Sequence, residues 1–596
     1  MGIEVELEPL RIRCRGMSLS EIELLVDGRV PSHSGAVVQD GALSWTLEDC
    51  TATLAVEGGD TPRLILRLDN VPPGRAIASL GLRIGRAKGI GFYLRNGYHS
   101  WDGSFFVEPG TPAGDGPPDK APTLGFAMTA LLPGSEPGAL VLGFTRHERF
   151  QTRFDFGGGR AAATIDLQTL WDKAPHAGTV TAAPLVLVDH EEVEECLRCW
   201  SRIVAREAPL APRIPPRRIT GWCSWYNLYA AISEQNVLDH FRAARAFRDR
   251  HQVPLDIFQI DDGFTPEMGD WLEVRPQFPR GMKALIGDIA ATGFTPGLWI
   301  APFLVGNRSR LFAEHPDWMV QAVSGGPLVH MKFYGEFRWH KRSEEYHVLD
   351  VTHPDAADYI RRVFRTWRHE WGAGYFKTDF MNAGMDYGPD QARWHETGLA
   401  RAEIWRRMAG IVREGIGDAL WLGCGCPLWA SVGLVDAVRI GRDVGVSWNG
   451  DYSAQSLLRD QLTRNHASGI LWQADPDCIL LRERFHELTD REVRSLAVFA
   501  GLAGGVLMTS DKLDELPAER AQLFADLLSA PVRACAFPQL GRSDGLIVQR
   551  AIGAAGESKL NVFNTGETPL RFDPGELGLQ GAAVDIAPHD SLCFGG

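Results

Sequence analysis

At 596 residues the chain is too long for one ordinary hydrophobic core, and two to four domains are expected. A hydrophobic content of 44% with 23% charged residues is that of a globular, soluble protein. The net charge of −14 argues against nucleic acid or another polyanion as partner.

The first residues, Met1 to Leu10, are acidic where an export signal needs a basic start and an apolar run. No later stretch is apolar and long enough to span a bilayer. A cytoplasmic protein with no membrane partner is therefore expected. The ten Cys are scattered, as reduced thiols are. Residues 1–210 read as a β-sandwich domain, with strand-like runs such as Arg63–Leu68 and Leu140–Phe144 between Gly, Pro and Asp turns. Cys196-x-x-Cys199 falls in an acidic, helix-like segment with no second pair at zinc spacing, and reads as structural. Arg95-Asn-Gly-Tyr98-His-Ser-Trp101-Asp102-Gly103 is a loop with turn residues at both ends; its Trp is local packing, an interface or a cleft wall.

A Pro/Arg linker, 211–218, then opens a different texture over 211–515. Gly221–Leu228 is strand-like, and a helix follows with Ser233 as N-cap and Val237, Phe241 and Ala244 on one face. Leu255–Ile260 ends in Asp261-Asp262-Gly263, and Thr295–Phe303 carries Trp299. After an aromatic and basic insert, 304–349, a helix at 355–370 leads into Tyr375-Phe-Lys377-Thr-Asp379-Phe380, and a helix is expected over 391–415. Strands ending at Cys424, at Arg439–Asp443, at Asp475 and at Asp511 complete eight βα-like units. Eight such units imply a closed (β/α)₈ barrel. The doubly wound alternative lacks a Gly-x-Gly-x-x-Gly after any strand. From 516 to 596 short strands return, a small antiparallel β domain.

Lys377 and Asp379 share one face of their strand, and charges in a core-like strand must pair or work. The strand ends collect many carboxylates and Trp residues but no His, which disfavours a His-ligated metal site. No Gly-x-Ser-x-Gly elbow or phosphate loop is evident. Paired carboxylates with aromatics are what glycoside hydrolysis requires. Asp379 suits the ionised nucleophile, with Lys377 keeping it charged, and Asp443 suits the acid. Arg439 and Arg442 would lower the Asp443 pKa if they point at it. Asp261-Asp262 could be a helix N-cap pair, but the following Gly263-Phe264 and the position at a barrel mouth favour ligand binding. Trp222, Trp225 and Trp472 read as core, and Asp475, Asp477 and Asp511 as loop anchors.

The sequence resembles glycoside hydrolase family 36, the melibiase-type α-galactosidases. The resemblance lies in Gly221-Trp-Cys-Ser-Trp225-Tyr226, Gln259-Ile-Asp-Asp-Gly-Phe264, Gly297-Leu-Trp-Ile-Ala-Pro-Phe303 and Leu349-Asp-Val-Thr-His-Pro354. It continues through Tyr375–Phe380, Gly423-Cys-Gly-Cys-Pro-Leu428, Arg439-Ile-Gly-Arg-Asp443, Asp475-Pro-Asp477 and Gly505–Asp511. It implies that Asp379 is the nucleophile and Asp443 the acid/base of a retaining reaction. It further implies that Asp261 and Asp262 hold the 4- and 6-hydroxyls of galactose. Lys377, Cys424 and Arg439 would contact hydroxyls nearer the anomeric carbon, and Trp101 and Trp299 would form walls. Asn96–Trp101 would reach over the barrel mouth. The implied substrates are small α-galactosides, with no metal or cofactor; oligomerisation is open. Cys426 stands where a Ser is familiar. The alternatives are a galactosyl transferase, an α-N-acetylgalactosaminidase or β-L-arabinopyranosidase, and, from another class, a non-catalytic carbohydrate-binding protein.

Overall fold

The computed structural model describes residues 2–39, 41–114, 121–333, 343–450, 452–542, 544–577 and 580–595. Residues 4–190 hold a seven-stranded and a ten-stranded sheet, antiparallel throughout, and bury a shared core that includes Leu24, Leu54, Leu82, Leu142, Phe154 and Leu187. A helix at Val193–Glu207 closes this part, burying Cys196 and Trp200. The Cys196 thiol donates to the Val188 carbonyl at 3.2 Å, a packing role consistent with the sequence reading.

Eight parallel strands follow: β1 (Thr220–Cys223), β2 (Ile257–Ile260), β3 (Thr295–Ile300), β4 (Tyr375–Thr378), β5 (Leu420–Gly423), β6 (Ala437–Arg439), β7 (Gln473–Asp475) and β8 (Leu507–Thr509). Each pairs with its neighbour from β1 to β7, and β8 pairs with β1. Between β7 and β8, Val506 N–H donates to Ala474 O and Ile479 N–H to Met508 O, both at 2.9 Å. The sheet is thus a (β/α)₈ barrel. Its strands are nearly continuous in buried residues because helices cover the outside and side chains fill the inside.

The helix after β1, Glu234–His251, begins at Ser233, whose hydroxyl accepts from Asn236 N–H while the Asn236 side chain returns the bond. It buries Val237, Phe241 and Ala244; covering the two larger side chains is worth about 1.5–3 kcal/mol each. Other local expectations need correction. Only Thr220–Cys223 is strand, and Trp225–Leu228 turns into a short helix with Tyr226 facing inward. The helix after β4 starts at Arg401, not 391, because Ala392–Arg393 pairs with Gln321–Ala322 and Gly398 takes φ +84°. β5 and β6 are joined by a 3₁₀ turn, Trp429–Ser431, without an α-helix.

The segment 304–349 contributes a three-stranded antiparallel sheet from Leu304–Gly306, Val329–Lys332 and Glu345–Val348. Its central part, 334–342, lies outside the described residues. Beyond the barrel, a four-stranded antiparallel sheet runs from Val532 to Gly595.

Candidate active site

Asp261 follows β2, Lys377 lies in β4 and Asp379 follows it. Lys377 Nζ donates to Asp261 Oδ2 at 3.0 Å. The Cys223 thiol and the Gln259 amide donate to the same oxygen, at 3.4 and 2.5 Å. The direct partner of Lys377 is therefore Asp261, and its charge acts on Asp379 as well, as the sequence suggested. Burial works against the Lys377 charge, yet Asp261, and more weakly Asp379, hold the ammonium well above its usual range. Burial likewise raises the Asp261 carboxyl, and Lys377 opposes it. Asp262, 1% exposed, sits beside it with its N–H on Asp261 Oδ1 at 2.9 Å. Neither caps a helix: the next helix starts at Gly281 with Arg280 as N-cap.

Asp379 is tied down from two sides. Trp299 Nε1, from β3, donates to its Oδ2 at 3.0 Å, and Phe380 N–H to its Oδ1 at 2.9 Å. Burial raises its carboxyl above the ordinary range; Lys377 pulls it back, and the negative charge of Asp443 pushes it up again. Phe380 takes φ +53°, costly for a bulky side chain, and so turns the chain sharply just after the carboxylate.

Across the mouth, Arg439 of β6 is 1% exposed. It reaches Asp443 Oδ1 and Asp477 Oδ2, each at 2.9 Å, and the Cys424 sulfur at 3.7 Å. Burial disfavours its charge, but Asp477 and its neighbours hold the guanidinium well above its usual range. Asp443 is 45% exposed at its side chain. Arg442 donates to the Trp101 carbonyl at 3.2 Å. Burial, and then Asp379, push the Cys424 thiol well above its normal range, so it stays neutral.

Trp101 lies against Phe380, ring centroids 5.1 Å apart at 74°. Its loop is stitched to the segment after β5. Ser100 N–H donates to Cys426 O at 3.0 Å, Cys426 N–H to Ser100 Oγ at 2.9 Å and Leu428 N–H to Tyr98 O at 2.8 Å. Gly425, at φ +55°, makes room: a Cβ there would stand 2.9 Å from the Trp101 ring and 3.1 Å from Phe380 Cα. Cys426 turns its sulfur inward against Gly423 and is fully buried. The loop thus packs against the segments that follow β4 and β5 at the barrel mouth.

Sequence reasoning missed the parts played by Tyr226 and Arg464. The Tyr226 hydroxyl donates to Asp477 Oδ2, which also accepts Val444 N–H at 2.7 Å, so Asp477 fixes Arg439 as well as its own loop. Asp511 matches its expected anchoring part, accepting Leu481 N–H at 2.5 Å. Arg464, 1% exposed, donates to Ser100 O at 2.8 Å, to Ile440 O at 2.5 Å and to Ser104 Oγ at 3.0 Å. Nothing in the helix sequence Ala454–Arg464 marks it. Replacing it by Leu is expected to leave the barrel folded but displace the Trp101 loop. A drop of about 100-fold in turnover, with an unchanged far-UV circular dichroism spectrum, is the expected result.

Among the described residues no group of three or more His, Cys, Asp or Glu side chains is placed to hold a metal, and no helix is long and apolar enough to cross a membrane.

Residues 226–411 match the melibiase family. The matched stretch contains Asp261, Asp262, Trp299, Lys377 and Asp379, whereas Trp101, Cys424, Arg439 and Asp443 fall outside it. Among curated relatives, the α-galactosidase of Escherichia coli is 28% identical over 200 residues, 32% of this chain and 25% of that protein. A probable α-galactosidase C of Aspergillus flavus is 25% identical over 219 residues, 34% of this chain and 26% of the relative. The matches thus span about a quarter of those relatives' length. Among solved structures, TtGalA of Thermus thermophilus, an α-galactosidase in complex with p-nitrophenyl α-D-galactopyranoside, superposes with a TM-score of 0.64. It is 25% identical, covering 88% of this chain and 98% of that one. The family 36 α-galactosidase AgaA of Geobacillus stearothermophilus, 13% identical, shares the fold with a TM-score of 0.61 over 98% of this chain and 87% of its own.

Proposed function

We propose that the chain is a retaining, exo-acting α-galactosidase releasing terminal α-D-galactose from oligosaccharides of the melibiose and raffinose type, in the cytoplasm and without a metal or cofactor. Its parts would be a sandwich domain at 1–210, the catalytic barrel at 211–515 and a β domain at 516–596. The observation that carries the reading is the Asp379 carboxylate. It is oriented by Trp299 and Phe380 N–H, and its proton affinity responds to Asp443.

In this reading Asp379 attacks the anomeric carbon as the bond to the leaving oxygen breaks, and Asp443 gives that oxygen its proton. The resulting β-galactosyl ester is then cleaved by water, whose proton returns to Asp443. Retention requires the two carboxyl groups at roughly 5–5.5 Å. Asp261 and Asp262 would accept from the 4- and 6-hydroxyls, and Lys377, Cys424 and Arg439 would meet hydroxyls nearer the reacting carbon. An equatorial 4-hydroxyl would leave a buried carboxylate unsatisfied, which supports galactose over glucose. The Trp101 indole N–H, buried without a protein acceptor among the described residues, would donate to bound sugar.

Hydrolysis of aryl α-D-galactoside, α-D-glucoside and α-N-acetylgalactosaminide tests the reading; only the first is expected to turn over. Folded protein inactive on all three would overturn it. Attack needs ionised Asp379, whose folded-state pKa lies above the ordinary carboxylate range, so kcat/KM should fall as pH drops through that raised value. An acid limb inside the ordinary carboxylate range would contradict this assignment.

A further inference from the structure

A cavity of about 830 Å³ opens where the N-terminal sheets meet the segment after β4. It is separate from the carboxylates of the mouth and lies within the range of pockets that hold small ligands. Tyr98 and Phe126, with ring centroids 5.1 Å apart, form part of its wall beside Gln151. Gln151 is 8% exposed, and its side-chain amide has no protein partner among the described residues. The same holds for the Tyr98 hydroxyl. A nearly buried amide and phenol without partners leave hydrogen-bonding capacity for whatever fills the space.

Part of the charge lining the cavity is paired, while Lys173 and Asp390 are exposed charges of opposite sign on its wall. Arg401 holds Asp172 through two guanidinium nitrogens, at 2.9 and 2.8 Å, and Arg153 reaches Asp155 at 2.8 Å. The Asp386 carboxyl, which accepts from Asn382 Nδ2 at 2.8 Å, is pushed by burial up to about 8 against the pull of Arg401. With charges of both signs on its wall the cavity selects for neither an anion nor a cation, and a neutral ligand rich in hydroxyls fits it. Aromatic faces beside open amide and hydroxyl groups suit the apolar and polar faces of a sugar ring.

We propose that this cavity is a second carbohydrate site, taking a neutral di- or trisaccharide that is bound and not cleaved. Two connections run from it to the mouth. Tyr98 belongs to the loop that carries Trp101, and Asn382 lies in the turn that follows Asp379 and Phe380. Occupancy steadies both, and so raises turnover at high sugar concentration.

Calorimetric titration of the full-length Asp379→Asn protein with raffinose tests the proposal, because the sugar is not consumed. Two sites per chain are expected, one of which is lost on adding Gln151→Leu or Leu170→Trp, the latter filling the cavity from its wall. Two sites that survive both substitutions overturn the proposal. A single site removed by Asp262→Asn and untouched by Gln151→Leu also overturns it, and leaves the galactosidase reading standing. A single site removed by Gln151→Leu alone keeps the cavity and contradicts the assigned mouth. No binding at all counts against both. With the catalytic residues intact, Gln151→Leu should keep wild-type kcat/KM at low substrate and lose the rise at high raffinose.

Discussion

Asp379→Asn is expected to lower kcat/KM on an aryl α-D-galactoside by on the order of 10⁴-fold without unfolding the protein. The loss follows from removing the attacking oxygen while Trp299 and Lys377 stay in place. The stability side follows from linkage. The folded-state pKa of Asp379 is raised, so its contribution to stability is present at low pH and lost as pH rises through that value. At neutral pH the ionised carboxylate is therefore a cost, and the neutral isostere should melt at or slightly above the wild-type temperature. A variant that is both inactive and markedly destabilised would point to a structural part for Asp379. Asp379→Gly with sodium azide adds a stereochemical readout. Azide entering where the carboxylate stood should yield β-galactosyl azide, and an α-product would exchange the two assigned roles.

Asp443→Ala should separate substrates by their leaving groups. Raffinose needs its leaving oxygen protonated and should lose about 10³-fold, within the span that acid–base catalysis supplies. A dinitrophenyl galactoside leaves unaided, so its kcat/KM should change by less than about 10-fold while kcat falls, because deglycosylation still lacks its base. Azide should restore turnover and give the α-azide. Equal losses on both substrates would mean that Asp443 only positions Arg439, to which it is bonded at 2.9 Å.

The barrel was legible because its strands end in punctuated, chemically unusual residues and most alternate with amphipathic helices. The β5–β6 connection was less so, since its short turn leaves no periodic signal. At the mouth, residue types were readable and partners were not. Asp261, Lys377 and Arg439 come from β2, β4 and β6, and in a barrel alternate strands fill a common layer of the interior. That rule could have pointed to the Lys377–Asp261 pair across 116 positions of sequence. Tyr226 escaped because its run reads as strand, and Arg464 because a basic residue at a helix end ordinarily faces water or carbonyls of its own helix.

The grip of Arg464 on the loop before β1 also limits how this polypeptide can be divided or recombined. Guanidinium bonds rooted in the barrel hold the carbonyls of His99 and Ser100. A barrel released by proteolysis at 211–218, or grafted behind a foreign partner, would keep its carboxylates but lose the loop that carries Trp101, while the buried cation kept Ile440 O and lost its acceptors in that loop. The N-terminal sheets and the barrel are bound to be inherited together, and a swap between relatives would have to carry Arg464 along with the loop it holds.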